Sequence, residues 1–256
     1  MNCLLLDIGN THTHLGLGNA RRVCKRADMP TAAWFDGSAP RRIAKFLGKR
    51  RPTGVALCSV VPRATPHAHK TIRKHWKLPV LELTARTVRG VGIDYPRPAT
   101  IGPDRLANAV AAYARCGGPV VVVDFGTAVT YDVINRKGDY VGGIIAPGLA
   151  LMTTYLHEKT ALLPEVTIRE VAATVGKSTR EAMLIGAVKG YRGMIRELVR
   201  CLKAELGSNR LPVLATGGYA ALITRGMPEI TGVDRLLTLE GLRLSWGMSQ
   251  AEIRRR

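Results

Sequence analysis

Leu4-Leu5-Leu6-Asp7-Ile8-Gly9-Asn10-Thr11 decides the fold, because the chain says nearly the same thing again as Val121-Val122-Val123-Asp124-Phe125-Gly126-Thr127, 117 positions on. In each copy an apolar run reads as a strand buried on both faces. It ends in a carboxylate that has no place in a core, then a glycine and hydroxyl-rich residues. The register persists beyond the glycine, where Thr13 and Thr130 fall at the same offset. One Asp-x-Gly carries little information. Two of them, dividing the chain near its middle, predict two similar lobes that each aim a carboxylate into a shared cleft. That arrangement suits a nucleotide's phosphates and their metal ion.

Working outward, Cys3–Leu6, Leu15–Leu17 and Arg21–Cys24 read as short strands joined by turns at Gly9-Asn10 and Gly18-Asn19. A helix near 41–47, a strand over 54–60, a helix near 63–76 and a strand over 80–83 follow. After a helix over 104–115 the pattern restarts with strands at 120–124, 128–134 and 140–145. Pro147-Gly148 opens a helix running toward His157, a long helix covers 178–206, a strand 211–215, and a short helix begins at Ala220. A strand meander followed by alternating strands and helices, occurring twice, predicts a duplicated α/β protein with a mixed sheet in each half. The boundary falls in Cys116-Gly117-Gly118-Pro119, giving lobes 1–117 and 118–256, with a frayed tail at Arg254–Arg256.

The 256 residues are 46% hydrophobic, enough for a large core or two ordinary domains. No apolar run is long enough for a signal peptide or a membrane span, which points to the cytoplasm. Five scattered cysteines without Cys-x-x-Cys predict neither disulfides nor a zinc site. His67, His69 and His75 lie close in sequence but without a nearby acidic or thiol ligand, which favours a solvated basic face over a metal site. The net charge of +19 is uneven: residues 1–117 hold 20 basic and 6 acidic side chains, and 118–256 hold 18 and 13. Arg41–Arg51 and Arg63–Lys77 dominate, each with apolar residues at helical spacing, so both read as helices with one buried and one basic face.

Asp7-Ile8-Gly9-Asn10-Thr11 is the first phosphate-binding candidate, since the glycine turn presents backbone N–H groups and the Asn10 and Thr11 side chains. Asp7 is placed to meet Mg²⁺, through water. Taken alone the segment is an ordinary turn, and its second copy, ending in Thr127, argues for function. Gly176-Lys177-Ser178 lacks the first glycine of a P-loop, and Gly16-Leu17-Gly18 lacks the third of a dinucleotide fingerprint. Gly102-Pro103-Asp104-Arg105 opens a helix. Asp104 there is either a dipole-stabilising residue or a general base for an attacking hydroxyl, and Arg105 is suited to an anionic group. Thr216-Gly217-Gly218, between a strand and a helix, allows a flat base or a ribose to approach the backbone, or is simply a glycine-rich turn.

Together these residues resemble the type III pantothenate kinases of the actin/hexokinase/Hsp70-like superfamily. The likeness covers most of the chain. It is carried by Asp7–Thr11, Tyr95 with Pro98, Gly102–Arg105, Asp124–Thr127, Gly143–Gly148, Leu163-Pro164, Ser178-Thr179 and Thr216–Gly218. The resemblance implies duplicated actin-like (ribonuclease H-like) domains with an interdomain nucleotide cleft, and ATP-dependent phosphorylation of pantothenate toward coenzyme A. It implies ATP contacts from Asp7, Ile8, Gly9, Asn10, Thr11, His12, Thr13, His14, Thr127, Gly217 and Gly218. Pantothenate contacts would come from Tyr95, Gly102, Pro103, Asp104, Arg105 and Thr179, with Asp104 as proton acceptor. Mg²⁺ accompanies ATP, Asp124 ligates a monovalent cation (K⁺ or NH₄⁺), and the protein forms a homodimer in which the long helix takes part. His12-Thr13-His14 departs from the family's usual Asn or Arg followed by aliphatics, and Pro103 replaces a commoner alanine.

Three rival readings stand beside this one. The chain could be a non-catalytic relative, although Asp7, Asp104 and Asp124 are all present. It could phosphorylate another sugar or acid. It could bind nucleic acid through residues 41–77, but no recognition motif is present and only 5% of residues are aromatic. That limits any association to a weak, salt-sensitive one without sequence selectivity.

Overall fold

The first apolar run becomes β1 (Cys3–Ile8), flanked by β2 (His12–Gly18) and then β3 (Val23–Pro30) in an antiparallel meander. The computed structural model describes the backbone of residues 2–255 and the side chains of 2–253. A single 3-10 turn (Thr31–Trp34) and helix α1 (Ala39–Leu47) lead to β4 (Gly54–Ser59), which lies parallel to β1. Helix α2 (Ala64–His75) then leads to β5 (Val80–Glu82), giving the order β3-β2-β1-β4-β5.

Side chains alternate across a strand, so β1 serves two cores. Leu4, Leu6 and Ile8 join Val55 and Leu57 of β4 beneath α1 and α2. In α1 the stripe Ile43, Phe46 and Leu47 is buried while Arg41, Arg42 and Lys45 are exposed. Each such apolar side chain contributes about 1.5–3 kcal/mol when fully buried. The opposite sheet face is covered by α8 (Leu237–Arg255), which also packs along α3 (Pro103–Cys116). The two helices approach closely enough that a Cβ on Gly241 would lie 1.9 Å from the carbonyl oxygen of Ala107. Thr238 Oγ1 donates to Asn108 Oδ1 across that contact at 2.8 Å.

The second apolar run becomes β7 (Val120–Phe125), followed by β8 (Ala128–Ile134) and β9 (Asp139–Pro147). Helices α4 (Leu149–Lys159), α5 (Thr179–Ile185) and α6 (Tyr191–Glu205) precede β10 (Val213–Thr216). Helix α7 (Ala220–Ile223) and β11 (Gly232–Val233) complete the half. This sheet runs β11-β10-β7-β8-β9-β6, where β6 is the short strand Gly92–Ile93. Without β6 its order is that of the first sheet, strand for strand, so the duplication read in sequence is a duplication of topology.

Several features differ from the sequence reading, beginning with β3, which covers Val23–Pro30 and not Arg21–Cys24. The long helix expected over 178–206 is interrupted by a π-helical segment, Gly186–Gly190, between α5 and α6. Strands β6 and β11 are too short to leave a periodic signal. Helix α8 escaped notice because Gly241 and Gly247 dilute its helical propensity. It continues to Arg255 where fraying was expected, and Arg256 lies outside the described residues.

Compactness divides the chain into two units. One holds residues up to Gly118, together with Ile134–Val141 and the chain from Leu236 onward. The other holds Pro119–Val133 and Gly142–Arg235. The first break falls between Gly118 and Pro119, and α8 belongs to the first unit. No described helix is long and apolar enough to cross a membrane.

Candidate active site

In the first unit, Asp7 is the next-to-last residue of β1, opposite His14 of β2 and Cys58 of β4. By alternation it faces away from the α1/α2 core. The following turn is closed by Gly9 N–H donating to the His12 carbonyl at 3.0 Å, which leaves Asn10, Thr11 and His12 exposed. Thr31 Oγ1 donates to the Gly9 carbonyl at 2.6 Å and fixes the turn from behind. Ile8 and Thr13 point inward: Ile8 is core, and the Thr13 hydroxyl accepts from Trp34 Nε1 at 3.0 Å. His14 is engaged with Asp28, Nδ1 to Oδ1, at 2.7 Å.

The Cys58 thiol donates to Asp7 Oδ1 at 3.4 Å. Burial above all, then the negative charges of Asp7 and Asp104, hold that thiol well above its usual pKa, so it stays protonated and remains a donor. Asp104 sits in the first turn of α3, where Pro103 supplies a preset φ and no N–H is wasted. Its Oδ1 accepts the N–H of Arg105 at 2.8 Å, yet burial outweighs that bond and the Arg105 charge, and its pKa lies above the ordinary carboxylate value. Arg105 lies 5.7 Å over the Tyr140 ring, which meets Tyr95 edge-on at 6.1 Å. Asp7 and Asp104 thus both act on the Cys58 thiol, while Arg105, Tyr140 and Tyr95 form a cationic and aromatic row.

In the second unit, Asp124 is the next-to-last residue of β7, in register with Thr216 of β10. Two glycines close on this strand end, Gly217 at Asp124 and Gly148 at Thr127. Gly217 has a φ of 92°, and a Cβ there would stand 2.6 Å from Asp124 Oδ1 and from the backbone of Phe125. A Cβ on Gly148 would stand 2.0 Å from the Thr127 carbonyl oxygen. Gly126, Thr127 and Gly218 are exposed. Tyr191, the first residue of α6, donates from its hydroxyl to the Pro147 carbonyl at 3.2 Å and packs 6.4 Å from the Phe125 ring. Thr179 begins α5 behind the N-cap Ser178, whose Oγ accepts the Glu181 N–H at 3.2 Å, while Glu181 accepts the Lys177 N–H at 2.7 Å.

Asp7–His14, Tyr95 and Gly102–Arg105 thus belong to the first unit, with Ile8 and Thr13 turned to the core, and Asp124, Thr127, Thr179, Gly217 and Gly218 to the second. Cys58, Tyr140 and Tyr191 were missed. Cys58 had a legible signal, because β4 parallel to β1 puts it beside Asp7. The other two are tertiary contacts across many residues. Among the described residues there is no group of three or more His, Cys, Asp or Glu side chains able to hold a metal unaided. An ion in either half would therefore take most of its ligands from water and phosphate oxygens, as Mg²⁺ does beside one or two carboxylates.

Twin mixed sheets with one strand order, flanked by helices and ending their central strands in Asp-x-Gly, place the chain in the actin-like ATPase fold class. Solved structures of that fold are similar throughout. A Baf-family protein from Campylobacter jejuni superposes with a TM-score of 0.62 at 20% identity, covering 97% of this chain and 99% of that one. The activator of 2-hydroxyisocaproyl-CoA dehydratase from Clostridium difficile, with bound ADPNP, gives 0.55 at 12% identity, covering 100% and 98%.

Within that class the chain belongs to the type III pantothenate kinase family, whose model matches residues 3–201. The type III pantothenate kinase of Akkermansia muciniphila is 46% identical over 97% of this chain and 100% of its own length. That of Methylacidiphilum infernorum is 41% identical over 94% and 86%. The chain is thus a phosphotransferase that phosphorylates pantothenate in coenzyme A biosynthesis, using ATP with a divalent cation.

Proposed function

We propose that Asp104 is the general base of this kinase, accepting the proton of the pantothenate primary hydroxyl as it attacks the γ-phosphorus of ATP. The observation that carries this is the position of Asp104: a partly buried carboxylate at the start of α3, near enough to the Cys58 thiol to act on it together with Asp7. Phosphoryl transfer passes through a loose transition state, so a base there is asked chiefly for alignment and for late proton acceptance. A raised pKa improves the acceptor without changing its geometry. Arg105, held over Tyr140, offers its guanidinium fork to the pantothenate carboxylate, with Gly102, Pro103, Tyr95 and Thr179 completing that site.

The triphosphate is held by the turn from Asp7 to His12 and by Asp124–Thr127 with Gly217 and Gly218. Ile8, Thr13 and His14 shape the first turn from within. Asp7 holds Mg²⁺ through water and Asp124 a monovalent cation, and these ions offset charge on the triphosphate. The protein works as a homodimer. Support for self-association comes from the second unit, where Ile145, Leu151, Tyr155, Leu162 and Val175 are exposed although α4 is largely apolar.

A coupled ADP-release assay with pantothenate, Mg²⁺ and K⁺, and a parallel tube without K⁺, tests the activity and the cation together. No ADP with either cation set defeats the kinase reading, and equal rates in the two tubes defeat the role given to Asp124. Light scattering that returns a monomer mass at micromolar concentration defeats the dimer.

A further inference from the structure

We propose that the outer face of α1 and α2 binds single-stranded nucleic acid without sequence preference, its phosphates on the helix cations and a base stacked on Phe35. Between Asp36 and Glu82 the chain contains eleven Lys and Arg residues and no Asp or Glu. All eleven are exposed, and none forms an ion pair among the described residues. An ordinary solvated helix face intersperses both signs; this one presents a single sign across two neighbouring helices. At 1.5 Å per residue the 12 residues of α2 alone span about 18 Å, longer than one nucleotide, so the complementary ligand repeats its charge. Both apolar stripes are already spent on the core beneath, which leaves neither helix a face to sink into lipid.

The aromatic element decides between strand types. The low aromatic content predicted little for a base to stack on, but Phe35 stands on this face and is 47% exposed. His67 braces it edge-on at 5.4 Å, and the Arg63 guanidinium lies 5.9 Å from its centroid. A preset exposed ring within a cationic field is a stacking platform for an unpaired base. Toward the other end of α2, a cavity of about 450 Å³ is lined by His69, Arg73, Lys77, Leu78, Pro79 and Val80. His69 does have an acidic neighbour in space: Glu82, 2.7 Å from its Nε2. That bond orients the ring and leaves Arg73 and Lys77 to face a phosphate. The whole surface covers the β1 face toward Leu4 and Leu6, opposite Asp7, so its occupation leaves phosphoryl transfer untouched.

Fluorescence anisotropy with a short labelled oligouridine tests the proposal on the intact chain. Binding is expected at low salt, with log Kd rising linearly in log salt by about 0.7 per phosphate contacted. The triple variant R63E/K70E/K74E is expected to weaken binding at least ~10-fold and to lower that slope by about 2. F35A is expected to weaken binding roughly 10-fold with the slope unchanged, and an equivalent duplex to be bound less well and to ignore F35A. Kinase turnover and melting temperature should match the parent in both variants. R41E/R42E/K45E on α1 repeats the test should the α2 variant melt early. Absence of binding at low salt overturns the proposal, as do affinities that ignore both charge reversals. Capture by phosphatidylserine vesicles in preference to the oligonucleotide overturns it in favour of a membrane surface.

Discussion

The turns after β1 and β7 are close copies in sequence and occupy the same place in sheets of the same strand order, yet their carboxylates have different neighbours. Asp7 has the Cys58 thiol beside it on the parallel strand, a thiol on which the Asp104 carboxylate also acts. Asp124 has Thr216 in the position of Cys58 and, next along, the bare backbone of Gly217 pressed against it. Ser59 stands where Gly217 would be in the first copy. The difference teaches that a duplicated scaffold specialises through the strand next door. One half collects acid and a proton donor, which suits proton acceptance. The other removes side chains, which suits close approach of phosphate to backbone.

The comparison breaks if the two aspartate-bearing halves prove chemically equivalent. Asp104→Asn should lower kcat at least ~100-fold while leaving ATP affinity nearly unchanged, measured by ADP release and by nucleotide titration. Near-normal turnover would remove Asp104 from the chemistry. Next in size, Gly217→Ala forces a side chain into φ 92° and against Asp124, and should destabilise the fold by about 1–3 kcal/mol in urea unfolding. Ser59→Ala, at the matching place, should cost no more than ~1 kcal/mol, and equal losses would erase the distinction drawn between the halves.

Smaller still, Cys58→Val removes the donor to Asp7 and should reduce kcat/KM for Mg-ATP about 5-fold, or ~1 kcal/mol, with Cys58→Ser restoring it. A valine variant that matches the parent would show the thiol to be mere packing. The last effect is one of pH. Burial raises the Asp104 pKa above 3.8, so its protonated form favours folding, and that contribution is lost as pH rises through the folded-state value. An asparagine side chain does not titrate, so the melting temperature of the Asp104→Asn variant relative to the parent should be higher near pH 7 than below about pH 3.8. A constant offset would contradict the burial.

Much of this was legible in the chain because it rested on local pattern. The two apolar runs, the Asp-x-Gly turns, Pro103 at a helix start and the spacing of Ile43, Phe46 and Leu47 each act within a few residues of themselves. What was not legible lies in contacts between distant segments. The family resemblance makes Thr13 an ATP contact, but Trp34 and Thr31 draw it into the core. Tyr191 gains its place beside Pro147 only after the π-helical segment has set the start of α6. Helix α8 carries two interior glycines that lower its propensity, and one of them, Gly241, is there because α3 passes so near. The basic load of α1 and α2 was plain in composition; that Phe35 stands among those cations was visible only in three dimensions.

The return of α8 to the first sheet has a consequence for biosynthesis. Ribosomes release a chain from its beginning, and domains ordinarily close in that sequence. Here Gly54 leaves room for Trp246, and β1 packs on the helix that begins at Leu237, so the sheet of the first unit stays open on one side until α8 has been made. The second unit, whose segments end by Arg235, can close sooner. Nascent chains stalled short of Leu237 should therefore engage chaperones through the half that was translated first.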